Sequence, residues 1–339
     1  MDPLTHGLLG ASFGQALCGR ALGRRALVWG AILGMAPDLD VVMNATGPTG
    51  EWLWHRGATH ALLFGPVVGP PVGLGLQRWK GGALRHWALL AMGALFSHPL
   101  LDLFTSYGTQ LLAPFSRKRF ALDAVAIIDP AYSLLLAAAL AIGLWRGVAT
   151  PVARRAAATA LALSTGYIFL GLALNHRAEA VARKQLEGEG VRGARVHAYP
   201  TLLQLPLRRL VARRDLEVRV GWLSVLAPRP VVWERFEDDP HPLAGAARAT
   251  SEGRVLEWFA MGETSAKVTA SSEGTIVEID DLRYGLPGRP RHGLWGLRIR
   301  FDGAGRPIGP GERIDRPLPA SGADLLGQLA RQTLGIASP

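Results

Sequence analysis

Very little charge is found in the first half of this chain. Residues 1–175 of the 339-residue sequence contain 13 Lys or Arg and 7 Asp or Glu, whereas residues 176–339 contain 24 and 20. A long segment with so few charges folds where its apolar side chains avoid water, and a lipid bilayer provides that environment. The second half has the charge content of an ordinary soluble domain. We therefore expect a polytopic membrane domain over 1–175 and a soluble domain over 176–339.

Six apolar stretches are candidate helices of the first domain. A helix that crosses the hydrocarbon core needs about 20 residues, and several of the stretches approach that length. The first two are short, so we expect them to be tilted, re-entrant or buried against the others. The stretches are roughly 4–18, 26–36, 61–77, 83–104, 127–145 and 156–174. The sequence thus predicts an α-helical membrane domain of about six apolar helices.

Basic residues are concentrated in alternate connections between these stretches. If every stretch crosses the membrane, these connections lie on one side, which the positive-inside rule makes cytoplasmic. The N-terminus, residues 37–60, residues 98–123 and the second half would then lie on the opposite, periplasmic side. The basic cluster 117–119 argues against this topology. The basic connections contain Arg20, Arg24 and Arg25, then Arg78, Lys80 and Arg85, then Arg146, Arg154 and Arg155.

Composition excludes several other classes of protein. The single cysteine, Cys18, excludes a disulfide framework, a cysteine-ligated zinc ribbon and an iron–sulfur site. The net charge is +10, but no basic stripe is interleaved with aromatic residues, so we expect no nucleic-acid partner. The sequence has no phosphate-binding loop and no dinucleotide-binding motif. No basic region or cleavage site follows Met1, so we expect no cleaved signal peptide.

The acidic and histidine residues of the first domain are clustered at the ends of apolar stretches. The clusters are Asp2-Pro-Leu-Thr-His6, Pro37-Asp38-Leu-Asp40, His55-Arg56-Gly-Ala-Thr-His60 and His98-Pro-Leu-Leu-Asp102. Residues four apart share one face of a helix, and the topology above brings all four clusters to one side of the membrane. Neutral imidazole and carboxylate groups are ligands of Zn²⁺ and of Mn²⁺ or Fe ions. The clusters therefore predict a metal site that keeps an open position for water.

Several of these residues also have a simpler interpretation. Asp2 would serve only as a charge at a helix N-terminus, and Asp38 and Asp40 would cap a turn. His55 is flanked by tryptophans, as expected of a histidine in an interfacial aromatic belt. Arg56 would be an ordinary loop charge, although beside two histidines it also suits a phosphate or carboxylate.

At these motifs the sequence resembles the YdjM-like family of membrane-bound, metal-dependent hydrolases. The resemblance covers about residues 1–175, through the four clusters and the segment Phe104-Thr-Ser-Tyr-Gly108. It extends more weakly into the second half at Ala198-Tyr-Pro-Thr201 and Asp281-Leu-Arg-Tyr284. It implies a multi-pass protein of the bacterial inner membrane with hydrolase activity.

The order of the motifs is also similar to the first part of the zinc-dependent phospholipase C and single-strand nuclease family, all-helical enzymes that cleave phosphodiesters. This second resemblance implies Zn²⁺, with Mn²⁺ or Fe as alternatives, and makes Asp102 the residue that would bridge two ions. The later ligands of that family are missing here, so one or two ions are expected. The implied ligands are His6, Asp38 or Asp40, His60, His98 and Asp102, and we select Asp38 as the ligand of this pair.

These observations lead to one main hypothesis and two alternatives. The main hypothesis is a hydrolase that uses metal-activated water on a phosphate ester or related bond of a lipid or lipid-linked substrate. In it, Asp40 is a ligand or general base, and His55 with Arg56 binds the anionic group. The alternatives are a metal-binding transporter, for which mid-span charges would be expected, and a membrane scaffold without hydrolytic activity. No protein partner is identified.

The second half has the pattern of a small α+β domain with an antiparallel sheet. Alternating apolar and polar residues predict short strands. A short amphipathic helix over 178–186 precedes them, and a helix over 322–335 closes the chain. The predicted strands are 216–220, 231–236, 255–259, 275–279 and 294–301. We expect this domain to cover the site, to bind substrate or to bind a partner.

Overall fold

The computed structural model describes residues 1–227, 229–272, 274–318 and 321–336. The chain divides into two compact units. The first contains residues 1–43, 54–172 and 202–204, and the second contains residues 44–53, 173–201 and 205 onwards. The division between residues 172 and 173 falls inside one long helix.

Helices make up the first unit. Two of them, α1 and α7, begin at a proline after an aspartate whose side chain accepts a backbone hydrogen bond from the first turn, which satisfies one free N–H group. Two 3₁₀ helices, Ala36–Thr46 and Ala58–His60, follow α3 and precede α5. Most of α4 and the end of α8 belong to the second unit. The helices are α1 (Pro3–Leu17), α2 (Gly19–Leu22), α3 (Arg24–Met35), α4 (Gly50–Trp54), α5 (Phe64–Lys80), α6 (Leu84–Leu103), α7 (Pro130–Arg146) and α8 (Pro151–Gly188).

Glycines bring these helices into close contact. A Cβ at Gly30 of α3 would overlap the carbonyl group of Gly10 on α1, and a Cβ at Gly34 would overlap the carbonyl group of His6. The start of α1 therefore lies beside the end of α3. Small residues at helix interfaces permit such close approach of two backbones. On α5 the glycines that pack in the same way against α6 are Gly65, Gly69 and Gly73.

Each of the six predicted apolar stretches forms a helix, but six membrane spans are not shown. In the described ranges, Arg24–Met43 and Pro151–Gly188 are long and apolar enough to cross a bilayer. A pair bent by 66°, Gly50–His60 with Phe64–Lys80, adds a third if it forms one span. Fewer than six helices meet this criterion because α1 and α7 have only 15 and 17 residues, and α6 carries charged residues near both ends.

Two four-stranded antiparallel sheets form most of the second unit, each with its strands in chain order. Helices α9 (Pro242–Ala249) and α10 (Ser251–Phe259) separate the sheets in sequence, and α11 (Gly322–Leu334) follows the second sheet. The first sheet contains β1 (Arg195–Pro200), β2 (Leu207–Arg214), β3 (Glu217–Ser224) and β4 (Glu234–Glu237). The second contains β5 (Thr264–Ser271), β6 (Gly274–Asp281), β7 (Trp295–Phe301) and β8 (Glu312–Asp315).

The predicted α+β pattern is present, but three of its details were wrong. Residues 178–186 are not a separate helix, because α8 continues through them without a helix-breaking residue. Residues 255–259 are the end of α10 and not a strand, since Leu256 and Phe259 are buried three residues apart on one helical face. The single predicted sheet is in fact two sheets.

Candidate metal centre

The ends of three helical segments meet at one point in the first unit. Asp38 lies in the 3₁₀ helix after α3, His60 ends the 3₁₀ helix before α5, and His98 and Asp102 lie near the end of α6. His98 and Asp102 share one face of α6 because they are four residues apart. One ligand atom from each of these residues lies within 4.8 Å of the others. We call Asp38, His60, His98 and Asp102 the donor cluster.

Electron-pair donors face one another in the donor cluster. The Nε2 atoms of His60 and His98 are 2.9 Å apart. Asp38 Oδ1 lies 3.3 Å from each of these nitrogens, and Asp102 Oδ2 lies 3.4 Å from each. None of the four side chains is more than 9% exposed. Water is thus largely excluded from the point where the four groups meet.

Neighbouring groups determine which nitrogen of each imidazole carries the proton. His98 Nδ1 is 2.6 Å from the carbonyl oxygen of Gly34, which accepts only, so Nδ1 is the donor. His60 Nδ1 is 3.2 Å from Asp40 Oδ2 and 3.0 Å from Thr59 Oγ1, and it donates on that side. In a neutral ring, each Nε2 then presents a lone pair to the donor cluster. Histidine ligands of metals are typically held in this way.

A divalent cation fits this arrangement. Two nitrogen lone pairs and two carboxylate groups at these distances repel one another unless a proton or cation lies among them. Asp38 Oδ2 and Asp102 Oδ2 accept no hydrogen bond from the residues that the structure describes. Two imidazoles and two carboxylates are a donor set suited to Zn²⁺, and to Mn²⁺ or Fe ions.

Arg56 lies beside the donor cluster and is bonded to Asp102. Its Nη2 is 3.0 Å from Asp102 Oδ1, and its Nη1 donates to Thr105 Oγ1 over 2.8 Å. The amino group of Met1 also contacts Asp102 Oδ1. Arg56 is 3% exposed, stacks 4.6 Å from the ring centroid of Tyr107 and has a φ of 61°, a strained value for a residue other than glycine. One oxygen of Asp102 therefore faces positive charge, and the other faces the histidines.

His6 lies next to the donor cluster and outside the group of four. Its ring stacks on that of His98, with centroids 3.5 Å apart. Its Nε2 is 3.1 Å from Asp102 Oδ1, on the side of the carboxylate that faces Arg56. Its Nδ1 is buried and has no hydrogen-bond partner in the described part of the chain. The role of His6 as a ligand stays a prediction.

Asp40 and His55 form a second pair beside the donor cluster. His55 Nδ1 lies 2.6 Å from Asp40 Oδ1. The other oxygen of Asp40 accepts from the backbone N–H of Arg56 at 3.1 Å and from Thr59 Oγ1 at 2.9 Å. The His55 ring is 5.6 Å from that of His60, and its side chain is 14% exposed. Asp40 therefore connects a histidine of the donor cluster to a histidine that solvent reaches.

Some further residues in or near the motifs have structural roles that the sequence only partly predicted. Asp2 caps α1, because its carboxylate accepts from Thr5 N at 3.0 Å and Thr5 Oγ1 at 2.6 Å, so it lies outside the donor cluster. Thr59 and Thr105 were not singled out, although they lie inside the quoted motifs. Gly34 acts through its backbone carbonyl, which leaves no signal in a sequence.

Comparisons with known proteins identify the family of the chain. The family described as "YdjM inner membrane protein" matches residues 1–178, a segment that contains the whole donor cluster. Inner membrane protein YbcI of Escherichia coli (strain K12) is 37% identical over 123 residues, which are 34% of this chain and 69% of YbcI. Uncharacterized protein YfhP of Bacillus subtilis (strain 168) is 32% identical over 152 residues, which are 42% of this chain and 46% of YfhP. No solved structure matches the chain. Since the family match covers more than half of the sequence, the chain belongs to the YdjM family.

Proposed function

We propose that this protein is a membrane-bound, metal-dependent hydrolase. The observation that carries the proposal is the donor cluster, in which two imidazole lone pairs and two carboxylates converge at a buried point. Such a site is suited to a cation, and it lies in a chain with two or three helices long enough to cross a bilayer. Zn²⁺ is the ion that we propose first, with Mn²⁺ or Fe as alternatives.

One or two ions would suit these residues. The four donors are enough for a single ion, and an open position for water or substrate would require a five-coordinate ion or one donor that does not bind it. Asp102 is the residue that we propose for a second ion, which would have to replace the positive charges of Arg56 and the Met1 amino group at Asp102 Oδ1. His6 lies beside Asp102 Oδ1 and would be a ligand of that second ion.

The pair Asp40 and His55 supports a role in proton transfer. When bound, a divalent cation would polarise a phosphoryl oxygen and lower the pKa of a nearby water. Asp40 accepts the Nδ1 proton of His55, so His55 Nε2 is left free to take a proton from that water. Asp40 then positions His55 instead of acting as the base itself. Arg56 neutralises Asp102, and binding of the anionic substrate group by Arg56 remains part of the proposal.

The substrate that we propose is a phosphate ester or related bond of a lipid or lipid-linked molecule. Asp38 lies in the last residues of the membrane-capable segment Arg24–Met43, and His60 lies at the break of the bent pair, close to Asp38. Groups at the end of a span lie at the depth of lipid head groups. Soluble phosphate esters reach such a position less readily than a head group does.

The test is hydrolysis by the purified full chain in a bilayer disc made from a bacterial lipid extract. We expect released phosphate or head group, loss of the activity with a chelator, and its return with Zn²⁺ or Mn²⁺. The variant His55→Phe should lower the rate about 10²- to 10⁴-fold, as for loss of a general base, and should keep its metal. The matched control is His176→Ala, at a 71%-exposed histidine outside the site.

Two outcomes would contradict the proposal. Bound metal without hydrolysis of any lipid in the extract would favour the metal-binding transporter, especially if metal crosses vesicles that contain the protein. An unchanged rate in a His60→Ala variant would show that the donor cluster takes no part in the reaction.

A further inference from the structure

A groove in the second unit has apolar walls and a cationic rim. Its volume is about 510 Å³, within the range of roughly 300–1,000 Å³ that is typical of ligand sites. Val181 of α8 and Leu223 of β3 contribute to its walls. Arg177 and Lys184 of α8 and Arg229 after β3 line the same groove, and none of its lining residues in the described ranges is acidic.

The packing of α8 explains why the apolar side chain of Val181 in this groove is exposed. Ala178, Ala182 and Leu186 lie on one face of the helix and pack into the core of the first sheet. Val181 points away from that face and is 41% exposed. The helix therefore uses one apolar face for the core and leaves a second apolar position, between two cations, unfilled.

The three cations of the rim are exposed and unpaired. Within the described part of the chain, Arg177, Lys184 and Arg229 form no ion pair and no hydrogen bond. Elsewhere in the same unit arginines commonly meet carboxylates, as Arg298 meets Glu278 at 2.6 Å. Three unpaired positive charges beside an apolar wall complement a molecule with a negative head and an apolar tail.

The position of these cations along α8 suits a lipid. The uncharged stretch of α8 ends at Asn175, and each further residue advances the helix by about 1.5 Å. Arg177 is therefore about 3 Å, and Lys184 about 14 Å, beyond the end of that stretch. The head-group layer adds about 5–8 Å to each side of the hydrocarbon core. With α8 as a span, Arg177 lies within the head-group layer and Val181 and Lys184 lie just beyond it, so a lipid in the groove would be drawn partly out of the bilayer.

We infer that this groove binds one anionic phospholipid, with the phosphate at the three cations and an acyl chain along Val181 and Leu223. The binding involves no bond cleavage and does not depend on the proposed hydrolase activity. Through this groove, the second unit recognises lipids with a negatively charged head group.

Photo-crosslinking of the full chain in bilayer discs tests this inference. The discs contain phosphatidylcholine and a small fraction of phosphatidylglycerol that carries a photoactivatable acyl chain. We expect crosslinks in the peptides that contain Val181 and Leu223, identified by mass spectrometry. A phosphatidylcholine probe with the same acyl chain should give much weaker crosslinking, since it has no net charge.

Two variants and one control make the test specific. The double variant Arg177→Ala/Lys184→Ala should lower the crosslinking yield roughly fivefold for each charge removed. Val181→Trp should block the groove while all three cations remain. Arg183→Ala is the matched control, because Arg183 is an exposed cation on the same helix that does not line the groove.

Several results would overturn the inference. Equal crosslinking by the two probes would show that the negative charge of phosphatidylglycerol plays no role in binding. Full competition by millimolar inorganic phosphate would make the groove a site for free anions and not for lipid. Yields that do not change in Val181→Trp and in the double variant would place the crosslinked lipid elsewhere.

Discussion

Asp40 contacts both a histidine of the donor cluster, His60, and the neighbouring His55. One of its oxygens holds His55, and the other accepts from Thr59 and lies 3.2 Å from His60 Nδ1. The carboxylate thereby keeps the Nε2 lone pair of His60 directed into the donor cluster. The sequence motif indicated that Asp40 belongs to the site, but it did not indicate which histidines Asp40 orients.

We predict that Asp40→Asn weakens metal binding by about 10- to 100-fold without loss of the fold, as expected when a partner of a ligand is changed. Competition with a chelator of known affinity measures this. Asp215→Asn is the control, because Asp215 is 91% exposed and lies in the second unit. An affinity equal to that of the unchanged protein would mean that Asp40 does not position His60.

The motifs contained all four members of the donor cluster, of which only His98 and Asp102 are at helical spacing, but did not indicate the groups that contact them. That the four residues bind a metal stays a prediction. The partners of these residues are a backbone carbonyl at Gly34 and hydroxyl groups at Thr59 and Thr105. Such groups occur throughout any sequence, so their role depends on the tertiary fold.

Between elements, the contact of α1 with α3 determines where Asp38 lies. Gly30 and Gly10 pack backbone against backbone, and Gly34 meets the carbonyl group of His6. The end of α3, and the 3₁₀ helix that carries Asp38, are thereby fixed beside the start of α1. An added side chain at this contact must push the two helices apart.

We predict that Gly30→Ala lowers stability by about 1–3 kcal/mol, the usual cost of overpacking, and weakens metal binding. Thermal unfolding of the detergent-solubilised protein measures the first effect. Gly166→Ala is the control, since nothing in the described part of the chain lies within 4 Å of a Cβ placed there. A Gly30→Ala protein as stable as the control would contradict this view of the contact.

In the second unit, a buried ion pair joins the end of β6 to the residues that follow it. Arg283 Nη2 lies 2.7 Å from Asp281 Oδ2, and neither side chain is exposed. Burial by itself lowers the pKa of Arg283, but the Asp281 carboxylate outweighs it and raises the pKa above its ordinary value. The arginine therefore stays charged, and Asp281 depends on it.

We predict that Arg283→Met destabilises the protein by about 3–5 kcal/mol, because it leaves a carboxylate buried without its partner. The same thermal unfolding assay measures the loss. Arg306→Met removes the arginine of an exposed pair with Asp302 and should change little. Equal effects of the two substitutions would show that burial does not set the importance of this pair.

The sequence predicted most of the helices of the first unit but only some of the strands of the second unit. The uncharged stretches located the helices, because apolar runs of that length are helical whether they face lipid or protein. They did not tell a span from a shorter helix such as α7, since both contain the same residue types. The sequence missed four strands, β1, β2, β5 and β8, whose burial patterns show no clean alternation.

For the whole molecule, basic residues flank the membrane-capable helices in a consistent way. Arg24 and Arg25 begin α3, Arg78 and Lys80 end α5, and basic residues near 154 begin α8. Under the positive-inside rule these three ends are cytoplasmic. Three spans, with the bent pair counted as one, would give the same result as the predicted six and leave the end of α8 on the periplasmic side. Two spans would return the end of α8 to the cytoplasm.

We predict the orientation that this pattern implies, and cysteine labelling in intact cells measures it. The native Cys18 is fully buried, so background labelling is low. A membrane-impermeant maleimide should label Glu187→Cys at the end of α8 and should label Ala83→Cys, between α5 and α6, only after lysis. Both positions are exposed. The reverse pattern would place the second unit in the cytoplasm.

The metal content of the purified full chain tests the central claim most directly. Elemental analysis of protein prepared without chelator should find one or two equivalents of a divalent transition metal per chain. His60→Ala and His98→Ala should each lose most of it, whereas His176→Ala should keep it, because His176 lies far from the donor cluster in sequence and on an exposed surface. Metal retained in full by both cluster variants, or absent from the unchanged protein after growth with added zinc, would contradict the account.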